Sequence, residues 1–144
     1  MSSGHPIVFL DVDGTLLPFG GRLVEHVGAR LAALPCELVW ATTWGEQANT
    51  DIAPHLGLPR LPVVTWGSDP TSEDEWYGLH WKTRGLAAWA GNRPFAWLDD
   101  ELTELDREWL DNHHPAATLL QHVDPRQGIT PGDLGALERW LRNL

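Results

Sequence analysis

Asp11 and Asp13 stand two residues apart, followed by a glycine, in the run Asp11-Val12-Asp13-Gly14-Thr15-Leu16. Two carboxylates so spaced, where an apolar segment breaks into a glycine turn, can both face one small volume. Asp-Gly is also a common turn pair, but a buried segment running straight into Asp-Val-Asp-Gly-Thr points to chemistry. Thr42-Thr43-Trp44-Gly45 closes a second apolar segment. Hydroxyls there serve either as helix caps or as phosphate ligands; Thr42 is the first candidate and Thr43 the second. Asp99-Asp100-Glu101 closes another apolar segment. These acids suit a helix N-terminus, and they equally suit Mg²⁺, which takes hard oxygen ligands. Lys82 is the only lysine beside nine arginines. Where arginine serves every generic positive charge, a lone lysine marks a place for a compact ammonium.

These residues need a scaffold that gathers segment ends. Short apolar runs at 6–10, 37–41, 61–65, 94–98 and 116–121 read as strands. Amphipathic patterns at 22–34, 45–56, 83–91, 101–112 and 131–143 read as helices. The last has the clearest start, with Thr130 as cap, Pro131 in the first turn and Asp133 against the helix dipole. Strands alternating with helices imply a parallel sheet covered on both faces, a Rossmann-like three-layer α/β/α sandwich with a five-stranded parallel sheet. In such sheets ligands sit beyond the carboxyl ends of the strands, where Asp11, Thr42 and Asp99 fall. The stretch 66–81 reads as a loop near that edge.

The chain has 144 residues, 42% of them hydrophobic, enough for one core, and residues 1–144 read as a single domain. The formal net charge of −10 disfavours broad, nonspecific nucleic-acid binding. It leaves open a local pocket for the phosphate of one strand end. Cys36, the one cysteine, reads as a core residue. No apolar run approaches the length of a signal peptide or membrane span, so the expected location is the cytoplasm, with no membrane partner. Of nine tryptophans, Trp40, Trp89, Trp97, Trp109 and Trp140 fall on apolar faces, while Trp44, Trp66, Trp76 and Trp81 lie near strand ends or loops. His113-His114 precedes Pro115 and reads as a helix end rather than a metal pair.

Taken together, the four segments resemble the haloacid dehalogenase-like superfamily: Asp11 to Leu16 its first motif, Thr42 its second, Lys82 its third and Asp99-Asp100 its fourth. The finer pattern, Val39-Trp40-Ala41-Thr42-Thr43-Trp44, Trp81-Lys82-Thr83 and Phe95 to Glu101, resembles the domain of bacterial Swiss Army Knife RNA repair proteins. The resemblance implies Mg²⁺-dependent hydrolysis of phosphate monoesters through a phosphoaspartate on Asp11. In that scheme Asp13 protonates the leaving oxygen and then activates water. Thr42, Thr43, Lys82 and Gly14 surround the phosphate, and the metal set is Asp11, Asp13 through its backbone carbonyl, Asp99 and Asp100.

Asp13 separates this pattern from the dehalogenases, whose halide leaving group needs no proton and which lack an acid there. The order also argues against a receiver domain, whose phosphorylated aspartate follows the third strand, whereas the candidate nucleophile here follows the first. Neither the segment after Asp13 nor that from Thr43 to Trp81 has room for a large cap domain. Capless relatives tend to accept macromolecular phosphates, so the expected substrate is a small phosphate ester or a macromolecular end, including a nucleic-acid end. Association with RNA repair proteins follows from the same resemblance. Two rival readings stay open: a phosphotransferase passing phosphate to another acceptor, and a non-catalytic phosphate-binding or interaction module.

Overall fold

A computed structural model describes residues 5–65 and 82–144. The strands are β1 (Ile7–Leu10), β2 (Glu37–Trp40), β3 (Phe95–Asp99) and β4 (Thr118–His122). The helices are α1 (Gly28–Ala32), preceded by a 3-10 turn at Glu25–Val27, then α2 (Gln47–Asp51), α3 (Ala53–Leu56), α4 (Thr83–Ala90), α5 (Glu104–His113) and α6 (Pro131–Arg142). The loop expected at 66–81, with Trp66, Trp76 and Trp81, lies outside the described residues.

The sheet is parallel throughout, in the order β2-β1-β3-β4. Ile7 pairs with Glu37 on one side and Phe95 on the other, so the ends of β1, β2 and β3 lie level. Side chains alternate between faces with a period of two, and each face builds its own core. Val8, Leu10 and Trp40 pack with Leu31, Leu56, Leu134 and Leu137 from α1, α3 and α6. Ile7, Phe9 and Trp97 pack with Leu86 and Leu110 from α4 and α5. Helices on both faces make the three layers of an α/β/α sandwich.

The sheet has four strands among the described residues, not five. The run 61–65 makes one isolated parallel bridge, Trp40 to Val63, with Trp40 N donating to Pro62 O and Val64 N donating to Trp40 O. The ladder's next bond toward the chain start would need an N–H from Pro62, which has none. Helix 45–56 is likewise split in two at Ile52, because Pro54 cannot donate back to the preceding turn. The acids 99–101 do not open a helix: α5 begins at Glu104, capped by Thr103 Oγ1 accepting from Asp106 N. Thr130 caps α6 in the same way, with Asp133 bonding back to the Thr130 N–H.

Trp40 and Trp97 are fully buried, whereas Trp89, expected inside, is 39% exposed on α4. His113 Nδ1 bonds Trp109 O and His114 Nε2 bonds Arg93 O, which ties both rings to the backbone around the end of α5. Among the described residues no helix is long and apolar enough to cross a membrane.

Candidate active site

β1 lies beside β3, and the chain leaves β1 toward β2 but leaves β3 toward β4, so the connections diverge between them and open a crevice beyond the strand ends. Asp11 is the first residue past β1, and its N–H still donates to Leu98 O on β3 at 3.3 Å. Asp99 is the last residue of β3, and Ala41 follows β2 with its N–H on Leu10 O. Sheet register alone therefore brings two carboxylates and a free-standing carbonyl side by side.

Lys82 joins them. It sits at the N-cap of α4, only 4% exposed, and its Nζ donates to Asp11 Oδ1 at 2.9 Å, Asp99 Oδ2 at 3.0 Å and Ala41 O at 2.7 Å. All three ammonium hydrogens thus have acceptors on three neighbouring strand ends. Asp11 Oδ2 accepts from Thr15 Oγ1 at 3.2 Å. Asp99 accepts from Trp97 Nε1 and from the Glu101 N–H.

Asp11, Asp99 and Asp100 each bring a carboxylate oxygen within 4.8 Å of the others. The glycine of the first motif makes this approach feasible. Gly14 has φ +78°, and a Cβ there would stand 2.4 Å from Asp100 Oδ2, so the turn needs both the left-handed conformation and the empty space. Burial pushes the Asp11 carboxyl up to about 7; Lys82 opposes the shift, while Asp99 and Asp100 add to it. Asp100 is pushed up to about 6, by burial first and then by Asp99. Burial alone would pull Lys82 down, yet Asp99 and Asp11 together hold it above its ordinary value. Asp11 driven toward neutrality beside a firmly charged lysine looks contradictory. It follows from burial, which raises Asp11 more than an ammonium shared with Asp99 can lower it, while the nearby Asp99 and Asp100 charges add to the rise.

An open cleft of about 120 Å³ runs over this cluster, lined among the described residues by Asp11, Asp13, Phe19, Thr43, Lys82, Asp99, Asp100 and Glu101. Asp13 is exposed there, and Trp44 Nε1 donates to its Oδ2 at 3.0 Å. Thr42 is 1% exposed, with its Oγ1 accepting from Trp44 N at 3.2 Å; Thr43 is exposed and lines the cleft. All the candidate residues from the sequence therefore fall at one end of the sheet. Thr15, Trp44 and Trp97, each bonded to one of the key carboxylates, were not among them. Thr15 stood inside the first motif, and Trp97 two residues before Asp99 on the same face of a strand, so both could have been inferred.

The donor set fits a small divalent cation. Three carboxylates against one ammonium leave two negative charges in a crevice where protonation is the alternative to a metal. A crevice at the switch point of a parallel sheet, with an aspartate after β1, a second acid two residues on, a lysine at a helix start and acids after β3, defines the haloacid dehalogenase-like hydrolase class. Within it, the family model for the HAD domain in Swiss Army Knife RNA repair proteins matches residues 7–134, and the chain belongs to that family. No curated protein and no solved structure matches the chain.

Proposed function

We propose that the protein is a Mg²⁺-dependent phosphatase acting through a phosphoaspartate on Asp11. The observation that carries this reading is the Lys82 ammonium locked between Asp11, Asp99 and Ala41 O at the floor of an open cleft. A buried acid with Asp13 exposed beside it supplies the two carboxylates, in different environments, that a double displacement requires.

An Asp11 oxygen attacks phosphorus while the bond to the leaving oxygen breaks, and Asp13 gives that oxygen its proton. Asp13 then takes a proton from water, whose oxygen attacks phosphorus and releases Asp11. Lys82 stays charged throughout and offsets negative charge on Asp11 and the transferring group. Thr43 on the cleft wall, and Thr42 beneath it, offer hydroxyls to phosphoryl oxygens, while Gly14, whose own N–H is bonded to Leu17 O, serves the site by leaving room for Asp100.

Asp11, Asp99 and Asp100, with the Asp13 carbonyl, would hold Mg²⁺. When bound it supplies charge neutralisation that lets an anionic carboxylate meet an anionic phosphate. The cleft's openness among the described residues supports substrates that include macromolecular phosphate ends, among them nucleic-acid ends. Association with RNA repair proteins belongs to the same reading, supported by the family match.

The test is phosphate release from small esters, phosphopeptides and phosphate-ended oligonucleotides, with and without Mg²⁺. Asp11→Asn is expected to lower kcat by about a thousandfold or more. Release that ignores Mg²⁺ or survives this substitution would point to a binding module or a contaminant instead.

A further inference from the structure

We propose that Trp44 is a positioning residue for Asp13, fixing which carboxylate oxygen meets the leaving group; this rests on the acid–base role given to Asp13 above. Asp13 is exposed on the cleft, and an exposed aspartate side chain is free to rotate about both of its torsions. Its backbone is pinned by a bridge to Leu17 and by the Gly14 N–H on Leu17 O at 2.8 Å. Its side chain is held from across the cleft's edge, by the Trp44 indole N–H on Oδ2 at 3.0 Å.

The indole is itself anchored. Trp44 packs against the core on the α1 and α6 side of the sheet, its backbone N–H donates to Thr42 Oγ1, and its backbone carbonyl accepts from the Gln47 N–H at 3.2 Å. The motif after β2 therefore reaches the motif after β1 through this side chain.

The chemistry of indole gives the contact its direction. Tryptophan N–H donates and cannot accept, so the oxygen facing it is an acceptor in both protonation states of Asp13. A proton on the carboxyl group then belongs to Oδ1, which is the oxygen left to serve the leaving group and, afterwards, water. Without the indole either oxygen can turn toward the cleft or away from it, and part of the population is misdirected at the moment of transfer.

A positioning role of this kind has a signature that a structural one lacks. Esters of primary alcohols need the proton; esters of acidic phenols leave with little help. Trp44→Phe is therefore expected to lower kcat on alkyl phosphates by about tenfold or more, and on nitrophenyl-type phosphates by less than about threefold, with KM little changed. Replacing Trp44 by benzothienylalanine, which keeps the bicyclic shape and loses only the N–H, is expected to give the same split, and decides the matter should Trp44→Phe fail to fold. In an Asp13→Asn background neither change should cost anything further. A loss uniform across leaving groups, no loss, or a loss that persists with Asp13→Asn overturns the positioning role alone. Absence of Mg²⁺-dependent turnover by the wild-type protein overturns the phosphatase reading and this inference with it.

Discussion

Asp11 carries a contradiction that only a third party resolves: it is the acid proposed to attack, in surroundings that favour its neutral form. Its pKa stands at about 7 in the folded chain against 3.8 for the free side chain, and that of Asp100 at about 6. Between those values the folded protein holds protons that the unfolded chain releases. The resulting stability is fully present below about pH 4 and is lost as pH rises through about 7. In EDTA the melting temperature is therefore expected to fall between pH 5 and pH 8. Added Mg²⁺ should flatten the fall, because a cation bound by the carboxylates favours their charged form. Asp11→Asn removes the largest contributor, so in EDTA at pH 8 it should melt above the wild type, even as the proposed function expects it to lose activity. Thermal melts at several pH values with and without the cation check all three statements. A wild-type Tm that rises with pH in EDTA would mean that the Lys82 pairing outweighs burial.

At the scale of elements, the position of Lys82 depends on how α4 starts. Thr83, the next residue, is fully buried and donates from Oγ1 to Asp106 Oδ1 at 2.7 Å. Asp106 is also fully buried, and its other oxygen accepts from the N–H and hydroxyl of Thr103, closing the cap of α5. One carboxylate thus ties the start of the lysine-bearing helix to the start of the helix that follows the Asp99-Asp100 turn. Asp106→Ala is expected to destabilise the fold by about 3 kcal/mol, since it removes the N3 half of the capping box and strands the buried Thr83 hydroxyl. Asp133→Ala, at the equivalent place in the cap of α6, also gives up a bond from the half-buried Gln121 amide, yet should cost only about 1 kcal/mol, and urea unfolding of the pair compares a fully buried tether with a partly solvated one. Equal losses would reduce Asp106 to an ordinary cap. Both caps have the same Thr-x-x-Asp spacing, yet only that of α6 was read from the sequence. The acidic run 99–101 imitated a helix start and drew the boundary of α5 three residues too early. The nucleophile candidate and the acids at the end of β3 were legible because each closes an apolar run at a sheet edge, and Lys82 because it is the one lysine beside nine arginines. The Trp44 contact with Asp13 was not, because it depends on how the chain turns after β2, which neither periodicity nor composition encodes. The fifth strand failed for a local reason: the run 61–65 has strand-like side chains, but Pro62 removes the N–H that would have extended its pairing.

For the whole molecule, the proposed function asks a chain with a formal charge of −10 to bring in a phosphate. Lys82, the lone lysine, is fully engaged at the cleft floor, so it sets charge at the reacting centre rather than drawing in substrate from a distance. The long-range field opposes an anionic substrate, and the opposition grows with the substrate's own charge. Salt weakens that field, with a screening length of about 10 Å at 0.1 M, but hardly touches contacts buried in the cleft. At constant free Mg²⁺, kcat/KM for a phosphate-ended oligonucleotide is therefore expected to rise, by roughly twofold or more, between about 20 and 150 mM KCl. A small phosphate monoester should change less. Proteins that grip nucleic acid along a basic face behave in the opposite way, losing affinity steeply with salt as counterions are released. Steady-state rates for both substrates over that range separate the two cases. A rate on the oligonucleotide that falls with salt would mean that the strand is held by a cluster of the nine arginines rather than by its terminal phosphate alone.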